Sequence, residues 1–320
     1  MSELRRDTAL GPSTGMGANS SGADDASVAV RADPSLARLA RRRRLAPRSL
    51  VRRSPVGTAA ALFLLFGLLV ALFGPLLGTG DPERLDPLAT FAAPSKSYPM
   101  GADFLGRSIL ARLVVGLRIS LMLAALSALL AAGLGAFLGL VAGYFGGKLD
   151  ELIMRLVDFV FAFPTLLLAL LVVLVSGPGI RGVIVTIVIA TIPIFSRVAR
   201  APTLSVRRTE YTIAARVLGA SPARVLFRHV LPNVSTPLLV QLTFTLSGAL
   251  IAEGALSFLG LGVQPPQPSL GSLLRDGKTY MELASWTMLF PAITLSALIL
   301  AVNLLGDELQ TLTDPRLRGR

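Results

Sequence analysis

The residues most able to do chemistry lie in a polar, basic stretch between Arg197 and Asn233. The stretch contains seven arginines and a single acid, Glu210. Arginine richness of this kind suits phosphate binding, as in proteins that contact nucleic acid. The chain on either side is apolar enough to cross a membrane, so the stretch is expected to lie at a bilayer surface, where a partner can contact it.

Four residues of this stretch share one predicted helical face. Tyr211, Ala214, Ala215 and Leu218 follow the i, i+3, i+4, i+7 spacing of a helix. Because two of them are alanines, another element can approach this face closely. The pattern therefore predicts a contact surface.

Turn chemistry predicts that this helix belongs to a hairpin. Gly219 is a natural left-handed C-cap, and Ser221 followed by Pro222 is typical of the start of a second helix. Pro232 is expected to end that second helix. The pattern also resembles a helix-turn-helix DNA reader, but the second helix runs directly into an apolar span and has little freedom to enter a major groove. We therefore expect no nucleic-acid partner.

Two acids fall clearly inside predicted membrane spans, Asp158 and Glu253. A carboxylate in the membrane is costly and is by default a functional hypothesis, such as a proton relay or the polar lining of a translocation path. The alternative is that each acid holds helices in register through a hydrogen bond or an arginine. Asp158 lies about one turn after Arg155, near a membrane surface, which favours the structural role for it. Both roles stay open for Glu253.

Catalytic patterns are weak throughout the chain. The nearest match to a phosphate-binding loop, Gly146-Gly147-Lys148, has Ala142 where the first glycine is required, and no Ser or Thr follows the lysine. The chain has one histidine, His229, and no cysteine, so neither a histidine cluster nor a thiolate metal site is expected. We expect no enzyme activity, no bound metal and no bound cofactor.

The elements that position these residues are predicted to be membrane helices. Apolar residues make up 52% of the chain and charged residues 16%, and the mean hydropathy is +0.66. Several apolar runs exceed the roughly 18 residues that a helix needs to cross a bilayer. The expected fold class is an all-α polytopic membrane protein with six transmembrane helices. The predicted spans cover residues 56–77, 113–144, 153–175, 182–198, 234–260 and 285–306.

The predicted spans are not equivalent. Small residues recur at every fourth position of the second span, at Ala131, Gly135, Gly139 and Gly143. Such a stripe lets a neighbouring helix pack closely. Pro164 is expected to kink the third span, because it removes a backbone donor and crowds the preceding turn. The fourth span is predicted to be short.

Positive charge orients the chain. Residues 1–53 carry eleven arginines and five acids, and residues 197–229 carry seven arginines and one acid, so the two segments account for the whole net charge of +12. Lys and Arg are retained on the cytoplasmic side, and four spans separate the two segments. Both termini and the 197–233 stretch are therefore expected in the cytoplasm, with some attraction of the basic segment to membrane lipid.

Several motifs resemble permease subunits of binding-protein-dependent ABC importers. Ala214-Ala215-x-x-x-Gly219, followed by Leu231-Pro232, is similar to the EAA motif of these subunits. Other stretches resemble the second, C-type permease of the dipeptide, oligopeptide and nickel branch. These stretches are residues 100–107, 210–221, 228–233, 253–262, 264–266 and 314–318. The resemblance runs from about Arg48 to the C-terminus.

The resemblance implies a domain organisation. Residues 113–306 would form a five-helix permease core of the MetI-like type, with a cytoplasmic coupling segment at 199–233. Residues 48–112 would add a first transmembrane helix and an extracytoplasmic segment. Residues 1–47 are expected to form a disordered basic tail, since their first part has almost no bulky apolar side chains. Residues 307–320 would form a cytoplasmic C-terminal tail.

In such importers the coupling segment docks on an ATPase subunit. The residues expected at this contact are Glu210, Tyr211, Ala214, Ala215, Arg216, Leu218, Gly219, Ala220 and Ser221. The implied partners are a second homologous permease, two ATP-binding cassette ATPases that use ATP and Mg²⁺, and an extracytoplasmic binding protein that delivers substrate. The implied function is import of di- and oligopeptides across a bacterial plasma (inner) membrane.

Other functions stay open at this point. The chain could be an importer subunit for a nickel chelate or glutathione, a scaffold that anchors partners, or an ion- or proton-coupled carrier that uses Asp158 and Glu253. No convincing inverted repeat of broken helices is found in the sequence, which argues against a carrier that acts alone.

Overall fold

The computed structural model describes residues 55–74, 78 and 80–313. Regular structure in these residues is helical, apart from one isolated bridge between Ala102 and Ser108. The helices are α1 (Pro55–Phe73), α2 (Ile109–Phe145), α3 (Gly147–Phe161), α4 (Thr165–Ser176), α5 (Ile180–Val206), α6 (Glu210–Val217), α7 (Pro222–Val225), α8 (Leu231–Phe258), α9 (Leu270–Thr279) and α10 (Trp286–Thr313). The predicted tail at 1–47 and the motif at 314–318 lie outside the described residues.

Five helical stretches are long and apolar enough to cross a membrane. They are α1, α2, α5, α10 and the continuous stretch Pro222–Phe258. A sixth span results when α3 and α4, which are bent by 92° at a short break, count as one. The bend follows from Pro164, whose backbone leaves the helical region just before α4 begins. An all-α fold with six spans and a break in the third is therefore confirmed.

The prediction of a short fourth span is wrong. Helix α5 is 27 residues long and contains Pro193 and Pro202 in its interior. Hydropathy falls at Arg197, but the backbone hydrogen bonds of the helix continue for nine further residues to Val206. The error arises because hydropathy marks where the bilayer ends, whereas polar residues can extend the same helix beyond it.

Close packing of α2 against α5 is the main contact of the fold. A Cβ atom added at Gly135 would lie 2.6 Å from Cβ of Phe195, and one at Gly143 would lie 2.8 Å from Cβ of Thr203. Gly139 meets the backbone of Ser196 even more closely. The predicted small-residue stripe is therefore confirmed as the surface on which another helix packs.

Two ion pairs tie α3 to α5. The Arg200 guanidinium donates to both carboxylate oxygens of Asp150, with an Nη2–Oδ2 distance of 2.7 Å. Arg197 Nη2 lies 2.6 Å from Asp158 Oδ1. These contacts hold the first half of the broken span against α5, at the end of the molecule where α2 and α5 finish.

The described chain has two structured ends. Helix α2 is about 55 Å long at 1.5 Å per residue, and residues 80–108 fold at its N-terminal end together with α9. The segment that joins α5 to α8 folds at its C-terminal end. Because α2 and α5 run in the same direction, as the glycine contacts show, the two polar regions lie at opposite ends of the bundle.

Candidate functional site

The hairpin, residues 207–233, is built from α6, a glycine turn and α7. Helix α6 ends in a Schellman motif, in which Gly219 N–H donates to the Arg216 carbonyl and Ala220 N–H donates to the Ala215 carbonyl, each at 3.0 Å. Gly219 has φ of 83°, which side-chain-bearing residues rarely adopt. The predicted glycine C-cap is therefore confirmed.

The second half of the hairpin begins as predicted but continues further. Ser221 Oγ accepts from Arg224 N–H at the start of α7, which confirms the N-cap. Pro232 does not end this helix, contrary to the prediction. A π-helical turn at Leu226–Val230 joins α7 to α8, and Asn233 Nδ2 donates to the His229 carbonyl at 2.7 Å. Pro232 has no backbone N–H to donate, and the wider π-helical turn before it tolerates this gap. The helix therefore continues into the membrane span.

Apolar packing fixes the hairpin on the bundle. Val225, Val230 and Val234 are completely buried and form a cluster with Ala199 of α5 and Leu140 of α2. Ala220, at the turn, packs against the same cluster. The hairpin is therefore a rigid extension of three spans rather than a loop between two of them.

Arg207 joins the hairpin to the C-terminal end of α2. Its Nη1 donates to the carbonyls of Gly143 and Tyr144, at 2.9 and 3.0 Å. These are carbonyls of the last turn of the helix, where a cation is favoured by the helix dipole. The Arg207 carbonyl in turn accepts from Arg216 Nη2 at 3.1 Å. An unbroken series of hydrogen bonds therefore links the end of α2, Arg207 and Arg216 of α6.

The predicted contact face is divided by the structure. Leu218 is 86% exposed and Tyr211 48% exposed, and Ala214 is exposed as well. Ala215 is half-buried, on the side of the fully buried Thr212. Tyr211 is also engaged within the hairpin, since its hydroxyl accepts from Asn233 Nδ2 at 3.4 Å.

Sequence analysis missed three exposed apolar side chains of the hairpin. Val217 is 80% exposed, Phe227 66% and Ile213 44%. In a helix of eight residues the periodicity does not decide which apolar side faces outward. These three side chains and Leu218 are together called the apolar tip below.

Positive charge borders the apolar tip. Residues 207–229 contain five arginines and one acid, Glu210. Arg208, Arg224 and Arg228 are exposed, as are Arg216 and Glu210. An exposed apolar patch with a basic rim is typical of a surface that binds another protein.

The structure does not bring the two intramembrane acids together. Asp158 is exposed and paired with Arg197 on α5. Glu253 of α8 is fully buried, and its Oε1 accepts from the Ser257 hydroxyl at 2.8 Å. Glu253 Oε2 has no hydrogen-bond partner among the described residues. In the same part of the chain, no group of three or more His, Cys, Asp and Glu residues is arranged to hold a metal ion.

Comparison with known proteins gives consistent matches. A family model described as "Binding-protein-dependent transport system inner membrane component" matches residues 132–319. The chain is 35% identical to the dipeptide transport system permease protein DppC of Alkalihalophilus pseudofirmus, over 84% of this chain and 88% of that protein. It is 39% identical to the glutathione transport system permease protein GsiD of Escherichia coli, over 84% and 89%. A putative peptide transport system permease protein of Brucella suis is also 39% identical, over 86% and 92%.

A solved structure shares the fold. The inward-facing MetNI methionine ABC transporter contains a chain that superposes with a TM-score of 0.52, at 20% identity, over 63% of this chain and 97% of its own length. At this identity the likeness concerns the fold alone. It supports the expected all-α permease core, with further structure added to it in this chain.

Proposed function

The chain belongs to the family of binding-protein-dependent transport system inner membrane components, and on that premise we propose that it imports short peptides as one permease subunit of an ATP-driven transporter. The resemblance to peptide permeases is confirmed by the curated relatives. Two of the three relatives described above carry peptide transport in their names, and one carries glutathione, itself a small peptide. Di- and oligopeptides are therefore the substrate class that we propose.

The observation that carries the proposal is the apolar tip on a rigid hairpin. An exposed, rigidly held patch binds a partner at low entropic cost, and the basic rim suits an acidic border on that partner. We assign the contact to an ATPase subunit, with Glu210, Tyr211, Ala214, Ala215, Arg216, Leu218, Gly219, Ala220 and Ser221 as its predicted residues, joined by Ile213, Val217 and Phe227.

Movement of the hairpin is transmitted directly to membrane spans. Helix α5 enters the hairpin and α8 leaves it through the π-turn, while Arg207 connects it to α2. When two ATPases close on ATP and Mg²⁺, they would draw the hairpin with them and reorient these three helices. The permease itself performs no chemical step in this scheme.

The remaining parts of the proposal follow from the family and the charge distribution. A second homologous permease completes the path, and an extracytoplasmic binding protein delivers the peptide. The hairpin and both termini face the cytoplasm, because the basic segments are retained there. The end that holds residues 80–108 then faces outward.

Replacement of Leu218 by glutamate tests the assignment. The charge would enter the apolar tip and meet the acidic border expected on the ATPase. We expect the ATPase subunits no longer to co-purify with the permease and peptide uptake to be lost, while the membrane level of the protein is unchanged. The matched control is Ser205→Glu, an exposed position on α5 at the same end of the bundle. Normal uptake by Leu218→Glu would refute the proposed contact.

A further inference from the structure

Residues 80–108 form a compact unit that presents one turn rigidly. Asp86 caps the 3-10 turn Pro87–Ala89 by accepting from Leu88 N–H. Its other carboxylate oxygen accepts from the Tyr98 hydroxyl at 2.8 Å, which raises the pKa of Tyr98. Gly106 has φ of 72° and lies against the Asp86 carbonyl, so a Cβ atom there would overlap it. The turn is thus fixed from two sides.

Ion pairs attach this unit to the spans. Asp103 is almost buried and accepts from Arg107 Nε at 2.8 Å and from Arg112 Nη1 at 3.0 Å. Arg112, in the first turn of α2, also lies 3.7 Å from the Asp276 carboxylate of α9. Asp103 therefore attaches residues 80–108 to α2, and Arg112 in turn links α2 to α9. The platform, as we name it, consists of residues 80–108 and α9.

Aromatic contacts complete the attachment. The Phe104 ring stacks on Tyr280 with centroids 5.0 Å apart, and Phe91 lies against the same tyrosine at 5.2 Å. Trp286 Nε1, at the start of α10, donates to the Ala102 carbonyl at 3.4 Å. The platform therefore has a fixed position on α2 and α10, and any side chain that it exposes is held in place.

The platform exposes a leucine almost completely. Leu88, in the capped turn, is 99% exposed, and Leu85 beside it is 60% exposed. The neighbouring charges are mainly negative, since Asp81 and Glu83 are exposed and are followed by a single exposed arginine, Arg84. Asp86 adds a further carboxylate at the base of the turn. A preorganised apolar side chain can be buried by a partner at low entropic cost, and the acidic border favours a partner surface of opposite charge.

Two observations favour a protein partner that is specific to this branch of the family. An acidic border is unfavourable against an anionic lipid surface, which argues against simple insertion of Leu88 into the headgroup region. The family model begins to match at residue 132, so residues 80–108 are outside the shared part. In an importer, the subunit that changes with substrate class is the binding protein.

We propose that Leu88 is the central contact of a docking surface for the extracytoplasmic binding protein. This inference rests on the proposed function, because it requires the platform to face outward. The partner is expected to present an apolar pocket bordered by lysine or arginine, complementary to Leu88 and to the acids around it. The carboxylates would accelerate the encounter and the leucine would set the lifetime of the complex.

The test uses the complete transporter, with both permeases and both ATPases, in nanodiscs. The rate of ATP hydrolysis is measured at increasing concentrations of the transporter's binding protein. The binding protein is first loaded with peptides from a casein hydrolysate. For Leu88→Asp we expect unchanged basal hydrolysis and a half-stimulating concentration at least about 30-fold higher, as for loss of a hot-spot side chain. The control Ser97→Asp adds the same charge at another exposed position of the platform and should leave the curve unchanged. Stimulation of the wild type should weaken as ionic strength rises.

Three results would overturn the docking assignment. The first is a normal stimulation curve for Leu88→Asp. The second is loss of the second permease from the purified Leu88→Asp complex, which would make this surface a subunit interface. The third is a blue shift of Leu88→Trp fluorescence with nanodiscs alone, which would place the side chain in lipid. In each case wild-type uptake driven by ATP would persist, whereas absence of that uptake would refute the proposed function itself.

Discussion

The hairpin and the platform lie at opposite ends of α2, and different kinds of contact hold them there. The hairpin is continuous in backbone with α5 and α8, packs through the buried Val225 and Val230 and is joined to α2 by Arg207. The platform is attached mainly through side chains, by a carboxylate that accepts from two arginines and by aromatic rings. The hairpin is part of the chain of α5 and α8, whereas the platform rests on α2 and α10.

This difference separates two tasks. A rigid hairpin that continues into spans passes any displacement to them, so its conformation should decide whether hydrolysis is coupled to transport. A platform held by side chains can position a partner without itself driving a helix. Substitutions at the hairpin should therefore affect coupling most, and substitutions in the attachment of the platform should affect stability more than turnover.

Among variants that leave the charge of the hairpin unchanged, the largest effect is expected for Gly219→Val. A β-branched residue at φ of 83° costs about 1–3 kcal/mol of backbone strain, and the turn would change shape to relieve it. We expect peptide uptake to fall by at least about 30-fold, the factor that corresponds to 2 kcal/mol, with a normal amount of protein in the membrane. Uptake of labelled peptide and quantitative immunoblotting of membranes measure both.

Two control variants separate the effect of backbone strain from the effect of side-chain size. A Cβ atom meets no atom within 4 Å at Gly219 or at Gly133 of α2, but only Gly219 has positive φ. Gly133→Val should therefore transport normally. Gly219→Ala should lie between the wild type and Gly219→Val. Equal loss of uptake in Gly219→Val and Gly133→Val would contradict the argument from conformation.

The next effect is expected for Arg207→Ala. This change removes the two hydrogen bonds to the last turn of α2 but leaves the apolar tip intact. We expect the ATPases to remain bound and to hydrolyse ATP, while peptide transported per ATP falls by roughly 10-fold, because charged hydrogen bonds contribute about 1.5–3 kcal/mol. Arg207→Lys should restore part of the ratio, since an ammonium can still donate to a carbonyl. Loss of ATPase binding would instead make Arg207 part of the docking surface.

At the platform, Asp103→Asn should lower stability more than transport. The change leaves Arg112 buried, with Asp276 at 3.7 Å as its remaining acid, and removal of one partner of a buried pair costs about 3–5 kcal/mol. We expect a lower melting temperature of the complex, with uptake at low temperature reduced only several-fold. Glu282→Gln, at an exposed position outside the acidic border of Leu88, is the control and should change neither quantity. An unaltered melting temperature would show that the pair does not hold the platform.

The two regions also differ in what the sequence could predict. The glycine C-cap and the Ser221 N-cap depend on residues a few positions apart, and both were correctly predicted. The platform depends on contacts between distant residues, such as Trp286 with Ala102 and Leu270 with Ser120. Sequence similarity pointed to residues 100–107, but no local pattern indicated a rigid unit.

The errors at the hairpin end have a common physical origin. Hydropathy predicts an end of α5 that is too early, because it marks the edge of the bilayer and not the end of the helix. Pro232 predicts a helix end because the π-turn that accommodates it has no sequence signature. Val217 and Phe227 were missed because exposure in a short helix depends on the neighbouring elements. The presence of the hairpin was predictable, whereas its exposed surface was not.

Glu253→Gln distinguishes a structural acid from a proton relay. Glutamine keeps an oxygen that accepts from the Ser257 hydroxyl, which itself accepts from Val263 N–H. We expect uptake within about twofold of the wild type at every pH between about 6 and 8. The reason is that, among the described residues, the Glu253 carboxyl forms no hydrogen bond with the hairpin or the platform, and glutamine keeps its hydrogen bond. Glu253→Leu is the companion variant and should destabilise the protein, since it leaves Ser257 without its acceptor. A steep pH-dependent loss with Glu253→Gln would instead support the proton-relay hypothesis.

The smallest effect is expected for Asp158→Asn. Asp158 lies near the hairpin end of the bundle but takes no part in the hydrogen bonds that link α2, Arg207 and α6. The Asp158 and Arg197 side chains are 62% and 45% exposed, and exposed ion pairs contribute about 0–1 kcal/mol. Arg197 also keeps its contact with the Phe161 ring, at 4.3 Å. Uptake and melting temperature should both match the wild type. A loss as large as that of Arg207→Ala would show that the broken span, and not the hairpin alone, carries the coupling movement.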